Sequence, residues 1–187
     1  MAIKPILTNK KKIAIITIAG TLVVSYIVVI VLFYLRNRKL FMEDLSNYHI
    51  KVDDFWKSTT AEKNGINNTT DDKDIILNIK YLIKNTLEPA YNYIPFKITS
   101  GYRSQELNTA IGSKTNKSQH IKGEAADITT GSIADNKKLY TYIRLNLPFD
   151  QLIAEYGYKT IHVSLKRNGI NRKQTLYTDD LINYKTI

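Results

Sequence analysis

From Ile13 to Leu35 the chain runs for 23 residues without a charge, is dominated by Ile, Val and Leu, and is flanked by Lys10-Lys11-Lys12 and Arg36-Asn37-Arg38-Lys39. About 20 apolar residues are needed to cross the hydrocarbon core of a bilayer as a helix. The stretch therefore predicts a transmembrane helix over 13–35, with a basic tail over 1–12 and a juxtamembrane connector over 36–47. A cleaved signal is the alternative, but its apolar part is roughly 7–15 residues and ends in small side chains. Here the run continues into Phe33-Tyr34-Leu35-Arg36, which favours an uncleaved anchor. Basic residues on the two sides nearly balance, so charge leaves the orientation open. Whatever else the protein does is left to residues 48–187.

That length suits one domain of ordinary size. The chain has no cysteine, so disulfides and thiolate metal sites are excluded and any metal must be held by histidine and carboxylate. The net charge is +10, shared about equally between the N-terminal appendage and the rest. The basic excess of the main domain suits an anionic polymer or a membrane surface. No Lys/Arg stripe interleaved with aromatics and no helix-turn-helix or zinc-finger spacing is present, so nucleic acid is not an expected partner.

Local patterns place several elements. Val52 to Trp56 reads as a small helix turning Phe55 and Trp56 inward, and Asn64-Gly65 as a turn. Asp71 or Asp72 caps a helix whose apolar positions Ile75, Ile76, Ile79, Leu82, Ile83 and Leu87 recur at helical spacing and which ends near Pro89. Phe96 to Thr99 is a short strand. A second helix holds Leu107, Ala110 and Ile111 and stops at Gly112. A polar loop follows over Ser113 to Lys117, then a strand over Ala125 to Thr129. A third helix starts at Ser132, with Asp135 completing an approximate capping box and Leu139, Tyr142 and Ile143 on its inner face; Pro148 closes it. Thr175 to Tyr177 reads as a last edge strand.

Two apolar runs, Asp150 to Tyr156 and Lys159 to Leu165, are separated by Gly157-Tyr158, which with glycine first suits a type II′ hairpin turn. Pairing outward matches Tyr156 with Lys159, Glu155 with Thr160, Ala154 with Ile161 and Ile153 with His162. Alternation then puts Ile153, Glu155, Thr160 and His162 on one face, with Glu155 diagonal to His162.

Ser118 to Asp127 carries the pattern S-x-H-x-x-G-x-A-x-D, five fixed identities that chance supplies on the order of once in a million starting positions at average residue usage. His120 and Asp127 lie seven residues apart, and His162 follows 35 residues later. Two histidines and a carboxylate make an open zinc site. A lone histidine is more often structural; the combination changes the odds.

The stretch resembles the zinc-ligand signature of the peptidoglycan peptidases that include the zinc D-Ala-D-Ala carboxypeptidases and related phage endolysins. The resemblance extends through Phe55 to Ala61, Gly65 to Asn68, Leu87-Glu88-Pro89, Ile98 to Ser104 with Leu107-Asn108, Phe149 to Ile153, and Ile161-His162-Val163-Ser164, covering roughly 48–165. It implies that His120, Asp127 and His162 bind zinc (Zn2+) with water in the fourth place. It also implies that Arg103 binds or polarises substrate near the scissile bond. Ser118 and Gln119 either contact substrate or only shape the loop.

One departure matters. Many members of the wider family place a catalytic acid three residues before the last zinc histidine, where this chain has Lys159, and Thr160 stands where an aromatic is common. The hairpin register offers Glu155 instead as general base or acid; Glu124 is a weaker candidate. The expectation is an α+β domain, several helices against a small antiparallel sheet, behind one N-terminal transmembrane helix. Its expected activity is zinc-dependent hydrolysis of peptide bonds in peptidoglycan, as carboxypeptidase or endopeptidase, with the N-terminus cytoplasmic and the domain outside. The alternative is a catalytically silent, membrane-tethered module on the same fold that binds wall peptide or a protein partner.

Overall fold

The computed structural model describes the backbone from Asn9 on except position 114, and side chains from Thr21 on. Most of the basic tail, and position 114 of the polar loop, lie outside the described residues. The chain divides into two compact units, one ending at Met42 and one spanning Glu43–Ile187. The first is a single helix, α1 (Asn9–Met42), which continues beyond the apolar run. Its stretch Thr21–Met42 is long and apolar enough to cross a membrane.

The second unit is an α+β domain. A 3-10 turn (Val52–Phe55) buries Phe55 completely, and α2 (Thr59–Asn64) is capped by Ser58 and ended by Gly65 at φ 64°. Sequence periodicity is too short there to announce α2. Asp72 caps α3 (Lys73–Leu82), its carboxylate accepting from the N–H of Asp74 and Ile75. The helix does not end at Pro89. It passes through a π turn (Ile83–Leu87) into α4 (Glu88–Tyr93), with proline in the first turn of α4. Because the helix is continuous there, the missing N–H of Pro89 leaves a carbonyl of the preceding turn without its helical donor, and the π turn directly before it takes up the irregularity; the buried Thr86 hydroxyl donates to Pro148 O at 2.6 Å.

The remaining elements are β1 (Lys97–Ser100), α5 (Gln105–Ala110), β2 (Ala125–Thr129), α6 (Ile133–Asn146), β3 (Gln151–Glu155), β4 (Thr160–Ser164), β5 (Gln174–Thr178) and β6 (Lys185–Thr186). They build one six-stranded sheet in the order β1-β2-β4-β3-β5-β6. All neighbours are antiparallel except β3 and β5, which run parallel. Thr175 to Tyr177 is therefore an interior strand, covered by the two-residue edge β6; its parallel partner lies 23 residues earlier in the chain and leaves no local signal.

The hairpin pairs as expected, Ile153 with His162 and Glu155 with Thr160. Its turn differs. Gly157 and Tyr158 both have positive φ, 65° and 69°, the type I′ pattern, whose twist matches that of the flanking strands. The sheet's two faces then part company. Ala126, Ile128, Leu152, Ala154, Ile161 and Val163 join one buried cluster with Ile79 and Leu82 of α3 and with Leu139 and Ile143 of α6. Each fully buried Leu or Ile contributes ~1.5–3 kcal/mol. On α6 the inward stripe is Asn136, Leu139, Tyr140 and Ile143. Tyr142, expected inside, lies off that stripe and stacks on Tyr93 at 4.0 Å. Buried Asn136 donates to the carbonyls of Tyr158 and Lys159 at 2.8 and 3.0 Å, tying α6 to the hairpin turn.

Candidate metal centre

The opposite face of the sheet carries the polar groups. Asp127 on β2 pairs directly with His162 on β4, which pairs with Ile153 on β3. Directly opposed residues share a face, so Asp127, His162 and Ile153 form one row, and Glu155 lies two residues along β3 on that same side. His120 arrives from the turn before β2. That turn is closed by Lys122 and Glu124 N–H donating to Gln119 O, and by Gly123 N–H donating to His120 O at 3.1 Å. Gly123 takes φ +67°, and a Cβ there would stand 2.8 Å from Ile75 O. Both the left-handed backbone and the close approach of α3 require glycine.

His120, Asp127 and His162 are all buried, and one donor atom from each lies within 4.8 Å of the others. His120 Nε2 is 3.3 Å from His162 Nδ1 and 3.3 Å from Asp127 Oδ1; His162 Nδ1 is 2.8 Å from the same oxygen. Tetrahedral zinc with bonds of ~2.0–2.1 Å separates its donors by ~3.3 Å, so two of the three spacings already match. The protonation pattern agrees. His120 Nδ1 lies 2.7 Å from Gly101 O, and a carbonyl can only accept, so Nδ1 carries the proton and Nε2 presents a lone pair. Burial pushes the His120 pKa down and keeps the ring neutral. A lone pair facing a carboxylate oxygen is an arrangement a cation relieves. Although burial acts to raise it, Asp127 is held well below the usual carboxylate range, the hydrogen bond from His162 among the causes, and so remains an anion. The donor set fits zinc.

Arg103 does not stand free beside the triad. Its Nη2 donates to Asp127 Oδ2 at 2.9 Å and its Nε to Ser100 Oγ at 3.0 Å. The two oxygens of Asp127 are thus divided, one toward the imidazoles and one toward the guanidinium. All seven residues expected at the site, Arg103, Ser118, Gln119, His120, Asp127, Glu155 and His162, line one cleft of about 430 Å3. Burial pushes the Glu155 carboxyl up to about 7; the Asp127 charge adds to this, while His162 and Arg103 oppose it. Glu124 and Lys159 are not among the cleft's lining residues. Gln119 is engaged, its Nε2 donating to Asp150 Oδ2 at 3.0 Å and its Oε1 accepting from Arg172 at 3.2 Å.

The cleft also holds Ile153, which the hairpin register had placed on this face, and residues that sequence reasoning missed: Gln151, Arg172, Leu181 and Tyr184 among them. Gln151 and Ile153 follow from the hairpin, since they alternate with Glu155 on β3. Arg172, Leu181 and Tyr184 come from the chain after β4, where no motif marks them.

The family model described as peptidase M15 matches residues 48–164 of the chain. Comparison with curated proteins finds no match.

Proposed function

Because the chain belongs to the peptidase M15 family, whose members depend on zinc, we propose that it hydrolyses peptide bonds of peptidoglycan stem peptides or cross-links. The observation that carries this reading is the buried convergence of His120, Asp127 and His162 at the floor of a cleft large enough for a few peptide residues.

His120 Nε2, Asp127 Oδ1 and His162 Nδ1 would hold the ion. Zinc held there supplies Lewis acidity, bringing the pKa of a water toward ~7 and polarising the carbonyl under attack. The chain's own groups do the rest. Glu155, on the same face as His162, takes the proton of the attacking water and returns it to the leaving amide nitrogen. A carboxyl whose pKa burial has raised toward neutrality is matched to both halves of that transfer. Arg103 orients Asp127 through Oδ2, and its remaining N–H groups steady the substrate carbonyl as charge develops on oxygen. Gly101 O fixes the tautomer of His120. Ser118 and Gln119 shape the rim beside His120 and contact the substrate's polar backbone.

The helix Thr21–Met42 would anchor the enzyme in the membrane, with the N-terminus cytoplasmic and the catalytic unit on the side where peptidoglycan lies. The test is the full-length chain in detergent, incubated with purified peptidoglycan with and without a zinc chelator. New amino termini or released D-alanine that vanish with chelator and return with zinc are expected. Absence of any chelator-sensitive product refutes the reading.

A further inference from the structure

We propose that Arg172 is a specificity-determining anchor of this cleft, binding a free carboxylate on the substrate residue next to the scissile amide. The inference rests on the peptidase reading above and names what that cleft selects. Arg172 lies beyond residue 164, where the family match ends, yet it lines the same cleft as the triad.

Its guanidinium is fixed from behind. The backbone N–H donates to Asp150 Oδ1 at 2.8 Å, Nε donates to both oxygens at 3.1 and 2.9 Å, and Nη2 bonds Asp150 Oδ2 and Gln119 Oε1. The Asp150 side chain is fully buried and also pairs with Lys166 at 3.1 Å. Two cations thus share this one carboxylate. Although burial acts to raise it, hydrogen bonds from Arg172 hold Asp150 well below the usual range, so the anion that clamps the guanidinium persists at neutral pH.

Among the described residues Nη1 of Arg172 has no hydrogen-bond partner. A guanidinium held rigidly along one edge, with a nitrogen to spare on the wall of a solvent-filled cleft, is prepared to receive a carboxylate at little further entropic cost. The charge of the cleft agrees: Arg103, Lys117 and Arg172 line it against Asp127 and Glu155, and the incoming metal adds two positive charges. Position agrees as well. Gln119, the chain neighbour of His120, touches both Arg172 and Asp150, so one side chain links the guanidinium to the stretch of residues that carries a metal donor. If Arg172 only neutralised Asp150, Nε and Nη2 would suffice, and the choice between an acidic and a neutral substrate would not depend on it.

The carboxylate has two sources, the C-terminus of the peptide or an acidic side chain beside the cut. Three fluorescent peptides separate them: L-Ala-D-Glu-L-Lys-D-Ala-D-Ala, the same peptide with a C-terminal amide, and the same with D-Gln for D-Glu. Binding to the metal-free, detergent-solubilised full chain is read by anisotropy, and hydrolysis is followed separately after zinc is added. Wild type should bind the parent roughly 10- to 100-fold tighter than one of the two neutralised peptides, the loss expected for one charge-assisted pair. The peptide that weakens identifies the source.

Arg172→Gln should erase that preference, and Arg172→Lys should retain part of it. Equal binding of all three peptides to wild type, no binding of any, or an undiminished preference in Arg172→Gln overturns the proposal. If Arg172→Gln does not fold, the three peptides on wild type and Arg172→Lys decide. Failure of the peptidase reading shows instead as absent hydrolysis with zinc, while the binding preference is scored without metal.

Discussion

Replacing Gly123 with alanine tests whether the turn that delivers His120 is dictated by its contact with α3. Two costs are separable. At φ +67° a non-glycine residue costs ~1–2 kcal/mol from clash of Cβ with its own backbone. The new methyl would also stand 2.8 Å from Ile75 O and 2.9 Å from Ile79 Cγ1. The first is a helical carbonyl that cannot yield without moving α3, and overpacking of this kind costs ~1–3 kcal/mol. Together the loss is about 2–5 kcal/mol, a large share of the ~5–15 kcal/mol that holds a domain. Gly169→Ala is the control: φ is +88° but no atom lies within 4 Å of its Cβ, so only the backbone cost applies. Urea unfolding of the detergent-solubilised chain, followed by fluorescence of its single tryptophan, Trp56 in edge contact with Tyr102, measures both. Gly123→Ala should lose at least ~1 kcal/mol more than Gly169→Ala. Equal losses would refute the claim that α3 presses on this turn.

Further outcomes follow from the site. Glu155→Gln should lower turnover by about 10²–10⁴-fold while zinc content stays at the wild-type level; an unchanged rate would remove Glu155 from the proton path. In the proposed mechanism the base is the ionised form of a carboxyl that burial pushes up to about 7, so Glu155 should titrate near neutrality in the metal-free protein. The rate should rise with pH on an acid limb that zinc's charge moves to lower pH and that Glu155→Gln abolishes. Arg103→Gln strips Asp127 Oδ2 of its partner and should weaken zinc binding about 10–100-fold in chelator competition; unchanged affinity would show that the guanidinium does not position the ligand. Asp150→Asn leaves the partly exposed Arg172 and Lys166 without their anion and should cost about 1–3 kcal/mol in urea unfolding. The folded pKa of Asp150 lies below its unfolded value, so its contribution is present above pH ~4 and fades as pH falls through the folded value. The stability of the variant should accordingly vary less with acid than that of wild type.

What could be read from residues alone was local or strictly periodic. The Glu155–Thr160 and Ile153–His162 pairings follow from a period of two and a two-residue turn, which leave one register that buries the apolar face. Asp72, one of two candidate caps, and Ser132 marked their helices because a cap is a local hydrogen bond. The passage of the chain through Pro89 was hidden, since it depends on a π turn whose extra residue no pattern predicts. The inward place of Tyr140 rather than Tyr142 depended on helix phase, one residue of error being enough to exchange them. The strand β5 and the cleft residue Arg172 owe their positions to β3 and to Asp150, partners more than twenty residues distant, and long-range pairing has no signature in a single sequence.

The divided carboxylate of Asp127 bears on which ion this protein can prefer. With Oδ2 committed to Arg103, the aspartate has a single oxygen to offer and cannot swing to grip an ion through both. Calcium, which gathers six to eight oxygens, and magnesium, which wants an octahedron of them, find one oxygen and two imidazole nitrogens here. A borderline-soft ion content with four neighbours finds three of them ready. In the proposed site, discrimination among metals would thus rest in part on a salt bridge that does not touch the ion.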